Sequence, residues 1–399
     1  MLNPNAASRS PSPQTPSNLP EVNPTISLDN RQIENSQKPA YPNAPPGGSA
    51  GVVLARIKAK SVMPPPKNKE ISNTQNKLKA ALVDEAFHAG LVEISLEHIG
   101  EVKESVQTKR AGFPLDCYKA LGGSAHVEEV AAIGTSLALA HEAFLIIDDI
   151  QDNDTERRGK PTAWVRHGVP QALNASLFVL SRAINEMNKI SLKNNTAGPL
   201  IVQRYMDGIA QLTKGQAIDE EMSRSGKANL DQYFEAAGLK NGTALALSVE
   251  LPALLLGHSL DEARQIGKIF ENVGVLHQIT NDMEDVVRKD GRPAGQDLYE
   301  GKGSVVAIVY QREAPEDAER FTQFLQKPRS EKSDDEVKTE LQRIIVSGTP
   351  QKLVEISEAK ARQTIKESTQ LDQYPELQKI LKYLVEKKVK KLHQCVAEC

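Results

Sequence analysis

The sequence has few aromatic residues, few cysteines and little excess charge of either sign. Aromatic side chains make up 4% of the 399 residues, there are three cysteines, and the formal net charge is −3. Three cysteines without framework spacing argue against a disulfide scaffold and indicate a reducing compartment. A net charge near zero gives no electrostatic reason to expect a nucleic-acid partner or an anionic membrane surface. Function must therefore be sought in particular sites.

Nucleotide motifs and long uncharged apolar runs are also missing. No GxGxxG or P-loop marks a nucleotide site, and no apolar run of about 20 residues predicts a transmembrane segment. The chain lacks the apolar core of a signal peptide and the arginine-rich composition of many transit peptides, so we predict a cytoplasmic protein. Strand signals are scarce, whereas helical periodicity recurs from Asn73 onwards. An all-α fold is expected.

Residues 1–70 differ in composition from the rest of the chain. Pro, Ser, Asn and Gln dominate there, in runs such as PNAPPGGSAG. Such a segment cannot bury enough apolar surface to offset the entropy lost on ordering. The sequence therefore predicts a disordered N-terminal segment over 1–70 and a helical domain over 71–399.

One acidic motif, DDIQDNDTERRG, follows an apolar segment that extends from Val130 to Ile147. The apolar spacing predicts a buried helix, and Asp148 and Asp152 then lie one turn apart on one face. Carboxylates at the negative end of a helix dipole repel one another and the dipole, so a cationic partner is expected. A solvated acidic helix end is the alternative for an isolated motif of this kind.

A second cluster, HQITNDMED, follows another apolar segment about 130 residues later, and it ends at Asp285. Mg²⁺ prefers one or two carboxylates together with phosphate oxygens, and arginines such as Arg157 and Arg158 bind phosphates with a fork of donors. Two facing clusters would make a cage for magnesium and diphosphate.

These motifs resemble those of the trans-isoprenyl diphosphate synthases, the farnesyl and geranylgeranyl diphosphate synthase family. The pattern DDxxDxxxxRRG matches from Asp148 to Gly159, and QxxDDxxD matches from Gln278 to Asp285, except that Asn281 replaces its first aspartate. The similarity covers roughly residues 75–390. It implies a single large all-α helical bundle around a central cavity, the isoprenoid synthase fold.

The resemblance also implies an activity and a set of site residues. The implied enzyme is a homodimeric prenyltransferase that condenses an allylic diphosphate with isopentenyl diphosphate, giving farnesyl or geranylgeranyl diphosphate, with about three Mg²⁺ ions per site. The implied metal ligands are Asp148, Asp149, Asp152, Asn281, Asp282 and Asp285. The implied catalytic residues are Asp148, Asp149, Asp152 and Lys240. The implied substrate-binding residues are Lys109, Arg110, His141, Arg157, Arg158, Lys240, Gln278, Arg292 and Lys302.

Two departures from the family pattern keep other functions open. Gly112 stands where the family has a second arginine for isopentenyl diphosphate, and Asn281 replaces an aspartate. A class I terpene cyclase of the same fold, or a non-catalytic regulatory subunit of a synthase, are the alternatives. Phe144 lies one turn below Asp148, where an aromatic residue in the family limits product length. This position slightly favours the shorter product.

Overall fold

The computed structural model describes residues 74–83, 89–101, 104–226, 228–287 and 294–399. These residues all belong to one compact unit of the chain. The predicted disordered segment 1–70 and the predicted site residue Arg292 lie outside the described residues.

The described chain is almost entirely helical, as predicted. The α-helices in chain order are α1 (Thr74–Leu82), α2 (Ala89–Gly100), α3 (Glu104–Ala120), α4 (Val127–Gln151), α5 (Ala163–His167), α6 (Val169–Lys193), α7 (Ala197–Ser225), α8 (Leu230–Ala237), α9 (Thr243–Leu255), α10 (Leu260–Val286), α11 (Gln296–Glu300), α12 (Val305–Glu313), α13 (Ala318–Gln326), α14 (Asp334–Val346), α15 (Thr349–Glu367) and α16 (Pro375–Ala397). A π-helical turn (Gly238–Gly242), two short 3₁₀ turns (Arg329–Glu331 and Ser368–Leu371) and a small hairpin of β1 (Glu156–Arg157) and β2 (Lys160–Pro161) complete the description.

Helix α4 is the central helix of the bundle. Acidic residues in its first turn, Glu128 and Glu129, favour its N-terminus through the helix dipole. It packs against α3 and α6, and Gly134 allows close contact with α3 because a Cβ there would collide with the carbonyl group of Ala111. By length and mean hydropathy (1.8), α4 could also cross a membrane, but 67% of its most apolar window is buried inside the protein. We therefore interpret α4 as a core helix.

One face of α4 is only partly buried. Leu137, His141, Phe144 and Asp148 recur at intervals of four, three and four residues, and each keeps some solvent exposure while most of their neighbours are buried. This spacing places them on a single helical stripe. The stripe changes from apolar to acidic towards the C-terminus of the helix, as expected for the wall of a cavity with charged groups at its mouth.

Two large apolar cores support the bundle. One core joins α4, α6, α9 and the first half of α10, and the other joins the second half of α10 with α12, α13 and α14. Helix α10 meets the π-helical turn closely, because a Cβ on Gly274 would overlap the backbone of Gly242. This contact fixes the turn that carries Lys240.

Candidate active site

The last turn of α4 is paired with lysines from two other parts of the chain. Lys240 Nζ lies 3.1 Å from Asp148 Oδ1 and 2.8 Å from Asp219 Oδ2. Lys302 Nζ lies 2.6 Å from Asp152 Oδ2 and 3.7 Å from Asp297 Oδ1. The two lysines supply the cationic compensation that carboxylates need at a helix C-terminus.

The pKa values of this cluster show how strongly the charges interact. Burial raises the pKa of Asp152 to about 6, although Lys302 opposes the shift. Burial also acts on Asp148, but Lys240 and Lys302 outweigh it and lower the pKa of that carboxyl. The pKa of Lys240 is raised because Asp148 and Asp219 outweigh the effect of its own burial. Both lysines are therefore charged at neutral pH.

The β1–β2 hairpin presents the two arginines of the first motif. Arg158 (φ 57°) and Gly159 (φ 77°) both adopt left-handed backbone conformations at its turn, as a tight two-residue hairpin requires. The Nε of Arg157 donates to Asp149 Oδ1, and its Nη2 lies 3.7 Å from Asp148 Oδ2. Asp149 is only 1% exposed, and burial raises its pKa to about 6. Here Asp149 orients Arg157, and its metal-ligand and catalytic roles stay predictions.

Glu142 is a buried anchor for basic residues from three segments, and the sequence analysis missed it. It lies 3.1 Å from His98 Nε2, 3.5 Å from Arg110 Nη1 and 3.1 Å from Arg158 Nη2. Burial alone would raise the pKa of Glu142, but the His98 hydrogen bond and nearby basic groups lower it to about 2. The sequence signal was a carboxylate within an apolar helix, directly after His141.

The remaining predicted residues of the second substrate site lie near this anchor. Lys109 is exposed on α3 beside Arg110, and His141 is partly buried on α4. Burial and then the charge of Arg110 lower the pKa of His141 to about 3, so its imidazole is neutral at physiological pH. A Cβ built on Gly112 would meet no atom within 4 Å. A larger side chain at position 112, such as the arginine that the resemblance implies there, would therefore meet no clash at its Cβ.

The second acidic motif is tied to the protein rather than open to solvent. Asp282 is 3% exposed and accepts hydrogen bonds from Gln278 Nε2 at 2.7 Å and from the Val305 amide at 2.9 Å. Asp285 is 5% exposed and accepts from the Asp297 amide at 3.0 Å. Asn281 is partly exposed. In this arrangement Asp282 and Asp285 anchor α12 and α11, and their metal-ligand roles, like that of Asn281, stay predictions.

The donor set of the first motif suits magnesium better than a metal that needs an all-protein site. Within the described residues, no group of three or more His, Cys, Asp or Glu side chains is arranged to hold a metal by itself. Asp148 and Asp152, by contrast, are two carboxylates one turn apart with partial exposure of 20% and 11%. Mg²⁺ takes one or two carboxylates and completes its shell with water and substrate phosphates. These residues fit that requirement.

A buried lysine outside the predicted motifs fixes the loop that carries Lys302. Lys332 is 6% exposed, and its Nζ donates to the carbonyl groups of Leu298 (2.9 Å), Tyr299 (3.0 Å) and Leu325 (2.9 Å). Gly301 lies against this ammonium, and any side chain there would collide with the Leu325 carbonyl. Neither Lys332 nor Asp297 was predicted, because their roles depend on contacts between distant segments.

Residues 103–344 match the model of the polyprenyl synthetase family, which is more than half of the chain. The chain belongs to the polyprenyl synthetase family. Among its relatives is a short chain isoprenyl diphosphate synthase of Methanocaldococcus jannaschii, 29% identical over 197 residues, which are 49% of this chain and 59% of the relative. A geranylgeranyl diphosphate synthase of Saccharolobus solfataricus is 25% identical over 199 residues, 49% of this chain and 60% of the relative. The matched part of this family member thus spans about three fifths of either relative.

Solved structures show the same fold. A geranylgeranyl pyrophosphate synthetase from Pyrococcus horikoshii superposes with a TM-score of 0.66 at 22% identity and covers 84% of this polyprenyl synthetase family member and 98% of that chain. A decaprenyl diphosphate synthase from Rhodobacter capsulatus gives a TM-score of 0.69 at 16% identity, with 86% and 99% covered. The all-α isoprenoid synthase fold predicted from the sequence is confirmed.

Proposed function

We propose that this protein is a magnesium-dependent prenyltransferase that condenses an allylic diphosphate with isopentenyl diphosphate to give a longer trans-prenyl diphosphate. The observation that carries the proposal is the pairing of Asp148 and Asp152 with Lys240 and Lys302, at the C-terminal end of the partly buried stripe on α4. Carboxylates for a hard cation and ammonium groups for phosphate thus alternate at one place. The relatives' names point to the same class of reaction.

Asp148 and Asp152 would hold magnesium, and diphosphate and water would supply the remaining ligands. The family resemblance implies about three ions per site. Bound Mg²⁺ would supply Lewis-acid stabilisation of the departing diphosphate. With Asp148 and Asp152 turned to a metal, Lys240 would keep Asp219 as a partner and Lys302 would keep Asp297, and each ammonium group would have hydrogens free for a phosphate. Both ammonium groups then donate to the diphosphate oxygens, where negative charge develops as the allylic carbon–oxygen bond breaks.

The second diphosphate would lie near the group of residues that Glu142 orients. Arg110 and Arg158 each keep guanidinium donors beyond those used by Glu142, and neutral His141 can donate one hydrogen bond. The double bond of isopentenyl diphosphate then attacks the allylic cation, and the proton is lost to the departing diphosphate. The chain's own residues position both substrates and exclude water, and no protein nucleophile is needed.

The direct test is to incubate the purified protein with Mg²⁺ and geranyl or farnesyl diphosphate, with and without isopentenyl diphosphate. The products are then identified by mass spectrometry. Elongated diphosphates that appear only with isopentenyl diphosphate support the proposal. A hydrocarbon or alcohol formed without it would overturn the proposal in favour of a terpene cyclase. No turnover of any allylic diphosphate by the protein alone would favour a regulatory subunit.

The cyclase is the second candidate, and specific observations favour it. Asn281 and Gly112 depart from the synthase pattern, and Asp282 is buried in hydrogen bonds to protein donors. Against it, Arg110 and Arg158, which we assign to isopentenyl diphosphate, both contact Glu142, and a cyclase would have no use for that assignment. This difference is why we place the synthase first.

The product length and the assembly state belong to the same proposal. Phe144 lies on the half-exposed stripe one turn below Asp148 and would shorten the space for a growing chain, which favours farnesyl over geranylgeranyl diphosphate. For a homodimer, the support is the set of exposed apolar side chains on α6 and α7, where Leu173, Leu177 and Met206 are 40%, 61% and 41% exposed. Light scattering of the wild type and of Leu177→Lys tests it, since the substitution should yield a monomer.

A further inference from the structure

Two basic side chains, His277 and Lys388, have no part in the mechanism described so far. His277 on α10 and Lys388 on α16 lie in contact, with 2.9 Å between Lys388 Nζ and His277 Nδ1. Both side chains are partly buried. Within the described part of the chain, neither is in an ion pair with a carboxylate. Glu284, the carboxylate that acts on Lys388 from a distance, is bonded to Lys391 at 2.9 Å.

This pair lies at the Lys109–Arg110 end of α3. Helices α3 and α16 run side by side. One groove is lined by residues from successive turns of both helices, from Phe113 to Ala120 on α3 and from Glu376 to Leu384 on α16. Lys388 follows Leu384 by one helical turn. Arg110 is close enough to His277 to contribute to lowering its pKa. Arg110, His277 and Lys388 therefore bring basic side chains from three helices to one end of this groove.

The hydrogen-bond chemistry of the pair suits an anion. An ammonium group has only donors, so His277 Nδ1 accepts from Lys388 and the imidazole is neutral with its hydrogen on Nε2. Burial and Lys388 lower the pKa of His277 to about 4, in agreement with this tautomer. The pair thus offers the remaining ammonium hydrogens and one imidazole N–H. Lys388 is thus a partly buried cation outside any ion pair of the described residues, and burial lowers its pKa. Such a group is unfavourable unless an anion joins it.

The vacant position at Gly112 lies on the same part of α3. It follows Arg110 by two residues, and a side chain there would extend into free space. We propose that Lys388, oriented with His277, binds the diphosphate of isopentenyl diphosphate in this chain and takes the place of the arginine that Gly112 lacks. This inference rests on the proposed function, since it assigns residues to its second substrate.

Steady-state kinetics of Lys388→Met tests the assignment. Loss of one hydrogen bond between charged groups should raise KM for isopentenyl diphosphate on the order of 10- to 100-fold, with KM for the allylic diphosphate unchanged. Lys390→Met is the matched control, because it removes the same charge from an exposed position on the same helix. The control should leave both constants unchanged. Equal effects on both substrates, or none on either, would overturn the assignment.

A rescue variant separates binding from general damage. Because the space at Gly112 is open, Gly112→Arg combined with Lys388→Met should restore most of the lost affinity for isopentenyl diphosphate. Failure to restore any affinity in a folded double variant would contradict the exchange of roles between these positions.

A binding measurement keeps this inference separate from the proposed function. If the wild type elongates no substrate, the proposed function fails. Calorimetric titration with inorganic diphosphate then tests whether Lys388 still belongs to an anion-binding site. Weaker binding by Lys388→Met than by the wild type and Lys390→Met would retain the site without the synthase. Equal binding by all three proteins would show that Lys388 binds no diphosphate, and would overturn this inference as well.

Discussion

Lys302 Nζ lies 2.6 Å from Asp152 Oδ2, although the two residues are 150 positions apart in the sequence. The contact links the end of the central helix to the loop between α11 and α12. Lys332 fixes the start of this loop, because its ammonium group donates to the carbonyl groups of Leu298 and Tyr299 in α11. A lysine on so constrained a loop is ready to exchange its carboxylate partner for a phosphate oxygen.

Replacing Lys302 with methionine should lower kcat for elongation by roughly 100-fold, because a preorganised donor to the leaving diphosphate is lost. The variant should still fold, since the side chain is 28% exposed. Lys327→Met, which removes an exposed lysine paired with Glu336, is the control and should keep full activity. A Lys302→Met enzyme with wild-type kcat would show that Lys302 does not assist departure of the leaving group.

Glu142→Gln should destabilise the protein by about 3–5 kcal/mol, the cost of removing one partner from a buried ion pair. The variant leaves Arg110 and Arg158 without their shared carboxylate. Urea unfolding at pH 7 measures the loss. Glu358→Gln removes a carboxylate that is 38% exposed and pairs with His393 and Arg362, and it should cost less than about 1 kcal/mol. Equal costs for the two variants would contradict the role of Glu142 as a buried anchor.

Gly274→Ala tests the packing that fixes the Lys240 turn. The added methyl group would overlap the backbone of Gly242, and overpacking of this kind costs roughly 1–3 kcal/mol. Gly112→Ala is the matched control, because it places a methyl group in free space within a helix and should stabilise the protein by about 0.5–1 kcal/mol. Thermal unfolding compares the two, and a Gly274→Ala protein as stable as the wild type would show that the helices can separate at little cost.

Acid should destabilise the ligand-free protein partly through His141. The folded-state pKa of about 3 lies below the unfolded value of 6.5. The unfolded chain therefore binds a proton first, and the stability contributed by neutral His141 is complete above pH 6.5 and is lost as the pH falls towards 3. Between pH 6.5 and pH 5, the wild type should lose roughly 1.5 kcal/mol more stability than His141→Gln. Parallel pH profiles of the two proteins in urea unfolding would contradict a folded-state imidazole that stays neutral.

Much of this arrangement could be predicted from local sequence. The periodicity of α4 places Asp148 and Asp152 on one face, and the RRG turn places Arg157 beside them, because both depend on residues close in the chain. Family resemblance then indicated Lys240 and Lys302, and the structure brings both to the aspartates.

The residues that were missed depend on long-range packing. Glu142 gathers partners from α2, α3 and the hairpin, and its spacing in α4 alone gives no sign of them. The hydrogen bonds of Asp282 to protein donors depend on how α12 approaches α10, which periodicity does not determine. Motif spacing identifies candidate ligands, whereas burial decides which carboxylate oxygens remain open to a ligand.

The most direct test of the account is the initial rate of isopentenyl-dependent elongation as Mg²⁺ is titrated into the wild type, Asp148→Asn, Asp152→Asn and a control, Asp207→Asn. Asp207 pairs with Arg264, and its side chain is 44% exposed. We expect the wild type and Asp207→Asn to make a longer prenyl diphosphate with the same Mg²⁺ dependence. Asp148→Asn and Asp152→Asn should need more Mg²⁺ and be at least about 100-fold slower. Elongation by the first-motif variants at the wild-type rate, or none by the wild type at any Mg²⁺ concentration, would contradict the account.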